Sequence, residues 1–138
     1  MNQGNSHRVV YIEDDQEMID LVVLILTRRG YQVKGAQGGR NGLDLIFQDP
    51  PDLILLDLMM PGMDGWEVYQ QLKSNETTRN IPVIIVTAKA QAIDRVLGLH
   101  IAKVDDYIAK PFRPQELIDA IDHVFNQASQ QMTLYPPQ

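Results

Sequence analysis

Cysteine is absent from the 138 residues. Disulfide cross-links, thiol nucleophiles and thiolate metal sites are therefore excluded, in keeping with a reducing compartment. Long apolar runs are missing too: the longest, Leu21 to Leu26, falls far short of the about twenty residues that span a bilayer. No membrane partner is expected. Residues 1–7, MNQGNSH, hold no apolar h-region, so the expectation is a cytoplasmic protein without a secretory signal and with a disordered N-terminus. Basic charge is in deficit. Twelve Lys plus Arg against eighteen Asp plus Glu leave a net charge of -6, a field that disfavours direct contact with nucleic acid. What is present is 44% hydrophobic and 22% charged residues, enough apolar material for one packed domain.

Short β-branched runs alternate with longer helical patterns five times, which is the signature of a parallel sheet. Arg8 to Ile12 reads as a first strand and Asp15 to Arg29 as a helix capped by Asp14 or Asp15 and stopped by Gly30. Tyr31 to Ala36 is more polar, as an edge strand would be, and a helix near Arg40 to Phe47 follows. Leu53 to Leu56, an unbroken apolar run, suits a central strand buried on both faces, with a helix over Trp66 to Leu72 after it. Ile81 to Val86 is a further strand, Ala90 to Ala102 a fourth helix, Asp105 to Ala109 a last strand, and Pro114 to Gln127 a final helix started by its proline. Residues 8–127 thus form one domain, and 128–138 read as a mobile tail. Right-handed crossovers place helices on both faces of a doubly wound α/β sheet, with the functional loops at the carboxyl ends of the strands.

The residues at those ends carry the chemistry. Strand one runs into Glu13-Asp14-Asp15, strand three into Asp57, strand four into Thr87 and strand five into Lys110. A parallel sheet brings all four ends to one edge. Clustered carboxylates repel, and a hard divalent cation with oxygen ligands, Mg²⁺, is the usual relief. The hydroxyl of Thr87 and the ammonium of Lys110 then complete a pocket for a transferred phosphoryl group, with Asp57 as the nucleophile that forms an acyl phosphate. Taken singly, the acidic triplet could be no more than helix capping, Asp57 an N-cap and Lys110 a solvated lysine. Their convergence is what favours a site. Asp64-Gly65 reads as turn chemistry, while His7, His100 and His123 show no ligand spacing.

Four segments in order, VVYIEDD at 9 to 15, LILLDLMMPGMDG at 53 to 65, VIIVTAKA at 83 to 90 and DDYIAKPF at 105 to 112, make the chain strongly resemble the receiver domain of two-component response regulators. The resemblance spans roughly Arg8 to Phe125. It implies a flavodoxin-like (βα)5 fold of strand order 2-1-3-4-5. It further implies that Asp57 is the phosphoacceptor, that Asp14 is a direct Mg²⁺ ligand with Mn²⁺ as a substitute, that Glu13 acts on the metal through water, and that Met59 contributes its backbone carbonyl. Thr87 and Lys110 would contact the phosphoryl oxygens, Tyr107 would act with Thr87 as the switch, and Lys110-Pro111 would be cis. Such a module takes its phosphoryl group from a sensor histidine kinase or histidine phosphotransfer protein and signals to a downstream protein through helix four, strand five and helix five. It is not an enzyme beyond catalysing its own phosphotransfer and dephosphorylation.

Two departures stand out. The pair after strand one is Glu-Asp rather than Asp-Asp, and Lys103 replaces the left-handed glycine expected before strand five, at a cost of about 1 kcal/mol if the backbone is kept. Competing readings fit less well. A haloacid-dehalogenase-type enzyme needs a second Asp where Met59 stands, and a flavodoxin-type carrier needs a Ser/Thr/Gly phosphate loop where Glu13-Asp14-Asp15 stands. A degenerate scaffold would lack some of the acids, Thr87 or Lys110. Helix five offers Ala120, Asp122 and Asn126, with Asp119 alongside, where DNA-binding relatives place basic residues, and Asp105 and Asp106 add acid. A monomer or weak dimer is therefore expected, unless Lys103 and Arg95 supply the missing positive charge.

Overall fold

The β-branched runs form strands and the amphipathic stretches form helices in a computed structural model that describes residues 7–89 and 91–134, with side chains through Gln127. The strands are β1 (Arg8–Glu13), β2 (Gln32–Gln37), β3 (Leu53–Leu56), β4 (Val83–Thr87) and β5 (Asp106–Ala109). All pair in parallel, in the order β2-β1-β3-β4-β5, with Val10 beside Ile54, Leu55 beside Ile84 and Ile85 beside Tyr107. The intervening helices are α1 (Gln16–Arg28), α2 (Gly39–Gln48), α3 (Gly65–Ser74), α4 (Ala92–Val96) and α5 (Pro114–Leu134).

Strand alternation divides the core in two. Leu53 and Leu55 of β3 face one way, with Val9, Val22, Leu26, Leu117 and Ile121 under α1 and α5. Ile54 and Leu56 face the other way, with Ile12, Leu43, Ile46, Val68 and Leu72 under α2 and α3. Each fully buried side chain of this kind contributes roughly 1.5–3 kcal/mol, so β3, buried at all four positions, anchors both layers and fixes where Asp57 emerges. Helix starts follow the expected chemistry. Asp15 accepts from the Glu17 N–H at 3.0 Å and caps α1, and Asp64 accepts from the Glu67 N–H at 3.0 Å and caps α3.

The fourth helix departs from the single helix expected over 90–102. Ala90 lies outside the described residues, α4 ends at Val96, and Leu97–Ile101 widens into a π-helical turn whose last bond runs from the Ala102 N–H to the Leu97 carbonyl at 2.8 Å. Packing accounts for it. Gly98 rests on the buried Tyr107 ring so closely that a Cβ there would lie 2.8 Å from Cδ2, and the Tyr69 hydroxyl holds the Ala102 carbonyl at 2.7 Å. Lys103 then takes the left-handed backbone at φ 62° that its glycine-like position demands. The final helix also differs. It continues to Leu134 where the apolar period ended it at Gln127, because the stretch of residues 128–134 contains neither Gly nor Pro to stop it. The rest of the expected tail, 135–138, and residues 1–6 of the N-terminus lie outside the described residues.

Two of the acids assigned to the α5/β5 surface point elsewhere. Asp122 accepts from the Tyr31 hydroxyl and, at 3.0 Å, from Arg29, which turns it toward α1 and β2. Asp105 accepts from the Val83 N–H at 2.8 Å, at the amino end of the sheet.

Candidate functional site

β1 and β3 lie side by side, so Glu13 at the end of one and Asp57 just past the other emerge at the same edge, 2% and 3% exposed. Burial of two carboxylates is costly unless each is fully hydrogen-bonded. Glu13 satisfies this completely. Its Oε1 accepts from the Tyr11 hydroxyl and from Lys110 Nζ, and its Oε2 accepts from the backbone N–H groups of Asp14 at 3.0 Å and Asp15 at 3.2 Å. Asp57 accepts from the Met59 N–H at 3.0 Å through Oδ1 and from Lys110 Nζ at 3.0 Å through Oδ2. Lys110 therefore bridges the two acids from the end of β5. Burial pulls its ammonium down, but the hydrogen bonds and charges of Glu13 and Asp57 outweigh this and raise its pKa.

Two supports were not expected from the sequence. Tyr11 sits two residues before Glu13 on the same face of β1, a spacing that could have signalled their contact. Burial, then Glu13, push its hydroxyl pKa well up, so it stays a hydrogen-bond donor. Gly65 is the other. A Cβ there would lie 2.3 Å from the Asp57 carbonyl and 2.5 Å from the Leu58 Cα, so the close approach of α3 to the Asp57 backbone, not turn conformation, is what requires glycine.

The remaining expected residues lie on β4 and β5 and in the loops that follow the strands. Thr87 is fully buried at the last position of β4, and its Oγ1 accepts from the Lys89 N–H at 3.3 Å. The hydroxyl of Tyr107 donates to the carbonyl of Lys89 from below, so the backbone of that one residue links Thr87 to Tyr107. Met59 is 57% exposed, and the Lys110–Pro111 peptide is cis. Asp14 is exposed beside Glu13.

The donor set is made of oxygen: carboxylates of Glu13, Asp14 and Asp57 and the carbonyl of Met59. Among the described residues no three acidic or histidine groups sit close enough to form a preassembled metal cage. Mg²⁺, however, binds through one or two carboxylates and retains several waters, so these residues fit it. Glu13 is the more fully engaged of the two buried acids, with four donors against two for Asp57, so Asp57 and the exposed Asp14 are the freer carboxylates.

The family model for the response regulator receiver domain matches residues 9–122. Among solved structures, the N-terminal domain of a response regulator receiver protein from Methanoculleus marisnigri is 36% identical, covers 86% of this chain and 95% of its own, and superimposes with a TM-score of 0.70. The signal receiver domain of a signal transduction histidine kinase from Syntrophus aciditrophicus is 30% identical, with 88% and 92% covered and a TM-score of 0.78. A response regulator receiver domain protein from Methanospirillum hungatei is 28% identical, with 92% and 99% covered and a TM-score of 0.82. With strand order, site edge and family model in agreement, the chain belongs to the response regulator receiver domain family, the regulatory modules of two-component signalling.

Proposed function

We propose that Asp57 accepts a phosphoryl group from the phosphohistidine of a sensor kinase or phosphotransfer protein. The observation that supports this most is the buried Asp57 carboxylate, paired with the Lys110 ammonium at 3.0 Å and set at the strand edge beside the fully buried Thr87. A carboxylate oxygen of Asp57 attacks phosphorus, the new O–P bond forms as the N–P bond of phosphohistidine breaks, and the electron pair stays on the imidazole. Lys110 then pairs with the phosphoryl oxygens as a fixed positive charge. Asp14, Asp57 and Met59, with Glu13 behind water, would hold Mg²⁺, which would supply charge neutralisation on those oxygens.

The switch runs through Lys89. When the Thr87 hydroxyl turns to a phosphoryl oxygen, the Lys89 N–H loses its acceptor, and the same residue carries the carbonyl that holds Tyr107. Loosening this link frees α4 and its π turn, and the face of α4, β5 and α5 changes for a downstream protein. In this reading residues 8–127 are the signalling unit, which acts in the cytoplasm as a monomer.

Treatment of the purified chain with acetyl phosphate, with and without Mg²⁺, tests this by intact mass. One phosphoryl adduct that requires Mg²⁺ and is absent from Asp57→Asn is expected. Undiminished yield in Asp57→Asn refutes the assignment.

A further inference from the structure

A cavity of about 610 Å3 lies at the other end of the sheet from Asp57, where Asp52 leads into β3 and Lys103 and Asp105 lead into β5. Its volume is in the range of small-molecule sites. Three of the chain's twelve Lys and Arg residues, Lys73, Arg79 and Lys103, line it against two carboxylates, so it is locally positive in a chain of net charge -6. The cations are poorly matched. Lys73 donates to the carbonyls of Arg79 at 3.0 Å and Ile81 at 3.1 Å, while Arg79 and Lys103 form no ion pair among the described residues. Burial lowers the pKa of Lys73, and the charge of Asp105 only partly offsets that, so an anion would relieve it. Asp52 and Asp105 each commit Oδ2 to a backbone N–H, of Arg8 at 2.7 Å and Val83 at 2.8 Å, and keep Oδ1 for a hydroxyl donor.

Backbone conformation adds an independent observation. Lys103 holds φ at 62°, where glycine would be unstrained. A lysine kept in a strained conformation on a cavity wall points to use of its ammonium.

We propose that this cavity binds the sugar-phosphate moiety of a small metabolite, with the phosphate on Lys73, Arg79 and Lys103 and the sugar hydroxyls donating to Asp52 and Asp105. Phe125 supplies an apolar wall for whatever the sugar carries. Free sugar phosphates and nucleotides share this moiety. The site is separate from the phosphoacceptor and does not depend on it.

Amide chemical-shift titration of the full chain carrying Asp57→Asn, without divalent cation, keeps the phosphoacceptor silent. Ribose 5-phosphate is expected to move the amides of Arg79, Lys103 and Asp105 and to bind about tenfold more tightly than inorganic phosphate, the effect of added hydrogen bonds to charged acceptors. Lys103→Gly relieves backbone strain and so does not fail by unfolding; it should weaken ribose 5-phosphate about tenfold, as should Arg79→Ala. Adenosine monophosphate bound more tightly than ribose 5-phosphate identifies a nucleotide as the source, and bound no more tightly identifies a free sugar phosphate. Unmoved amides with both sugar phosphates, equal affinity for inorganic phosphate, or undiminished binding in Lys103→Gly overturns the proposal.

Discussion

At the scale of single residues, neighbouring side chains of like chemistry have distinct tasks. Asp14 and Asp15 are both exposed, yet Asp15 caps α1 through the Glu17 N–H whereas Asp14 directly follows β1 and gives its N–H to the Glu13 carboxylate. Asn caps a helix as well as Asp does. Asp15→Asn should therefore leave both stability and Mg²⁺ affinity nearly unchanged, while Asp14→Asn should weaken Mg²⁺ by at least about tenfold, since even outer-shell partners of a metal are worth that much. Metal titration of the two variants checks this; equal affinities would sink the distinction. Gly65 shows a residue whose task is to be small. A methyl group 2.3 Å from the Asp57 carbonyl has only backbone to displace, so Gly65→Ala should destabilise the fold by about 3 kcal/mol, the upper end for overpacking, as read by urea unfolding. The pair Asp64-Gly65 looked like turn chemistry because sequence displays conformational preference but not the closeness of a distant backbone.

Elements were legible where one force dominated. β3 is an unbroken apolar run bounded by proline and aspartate, and its limits in the structure are the expected Leu53–Leu56. The meeting of the ends of β1, β3, β4 and β5 at one edge followed from parallel topology, whereas the strand order came from the family resemblance. The fourth helix was not legible, because its shape is set by the Tyr107 ring beneath Gly98 and by the Tyr69 hydroxyl on Ala102, contacts between segments far apart in the chain. Nor was the turning of Asp122 toward Tyr31 and Arg29, which depends on how α5 sits on α1 and β2. The strain at Lys103 was legible through the family resemblance, which implies a left-handed glycine at that position. Lys103→Gly should therefore raise unfolding free energy by about 1 kcal/mol, the left-handed penalty less the added freedom of the unfolded chain. An unchanged or lower midpoint in chemical denaturation would show that the turn is not strained.

Over the whole molecule, charge sets how copies meet. Even with Asp105 and Asp122 turned away, the groove along β5 and α5 presents Asp106, Glu116 and Asp119 against Arg95, whose guanidinium already lies over the Tyr107 ring, 5.6 Å from its centroid. A two-fold axis through this face would bring those acids together. Light scattering on the chain activated with a phosphoryl analogue should therefore report an unchanged mass, and a two-fold increase abolished by charge reversal on α5 would contradict this. The central claim is that the sheet delivers one carboxylate, Asp57, to a phosphoryl donor. Borohydride reduction of the phosphorylated chain tests it most directly, since an acyl phosphate is reduced to an alcohol and marks its own position for peptide sequencing by mass spectrometry. Homoserine at position 57 alone is the predicted result; homoserine at position 14 or hydroxynorvaline at position 13, with Asp57 intact, would contradict it.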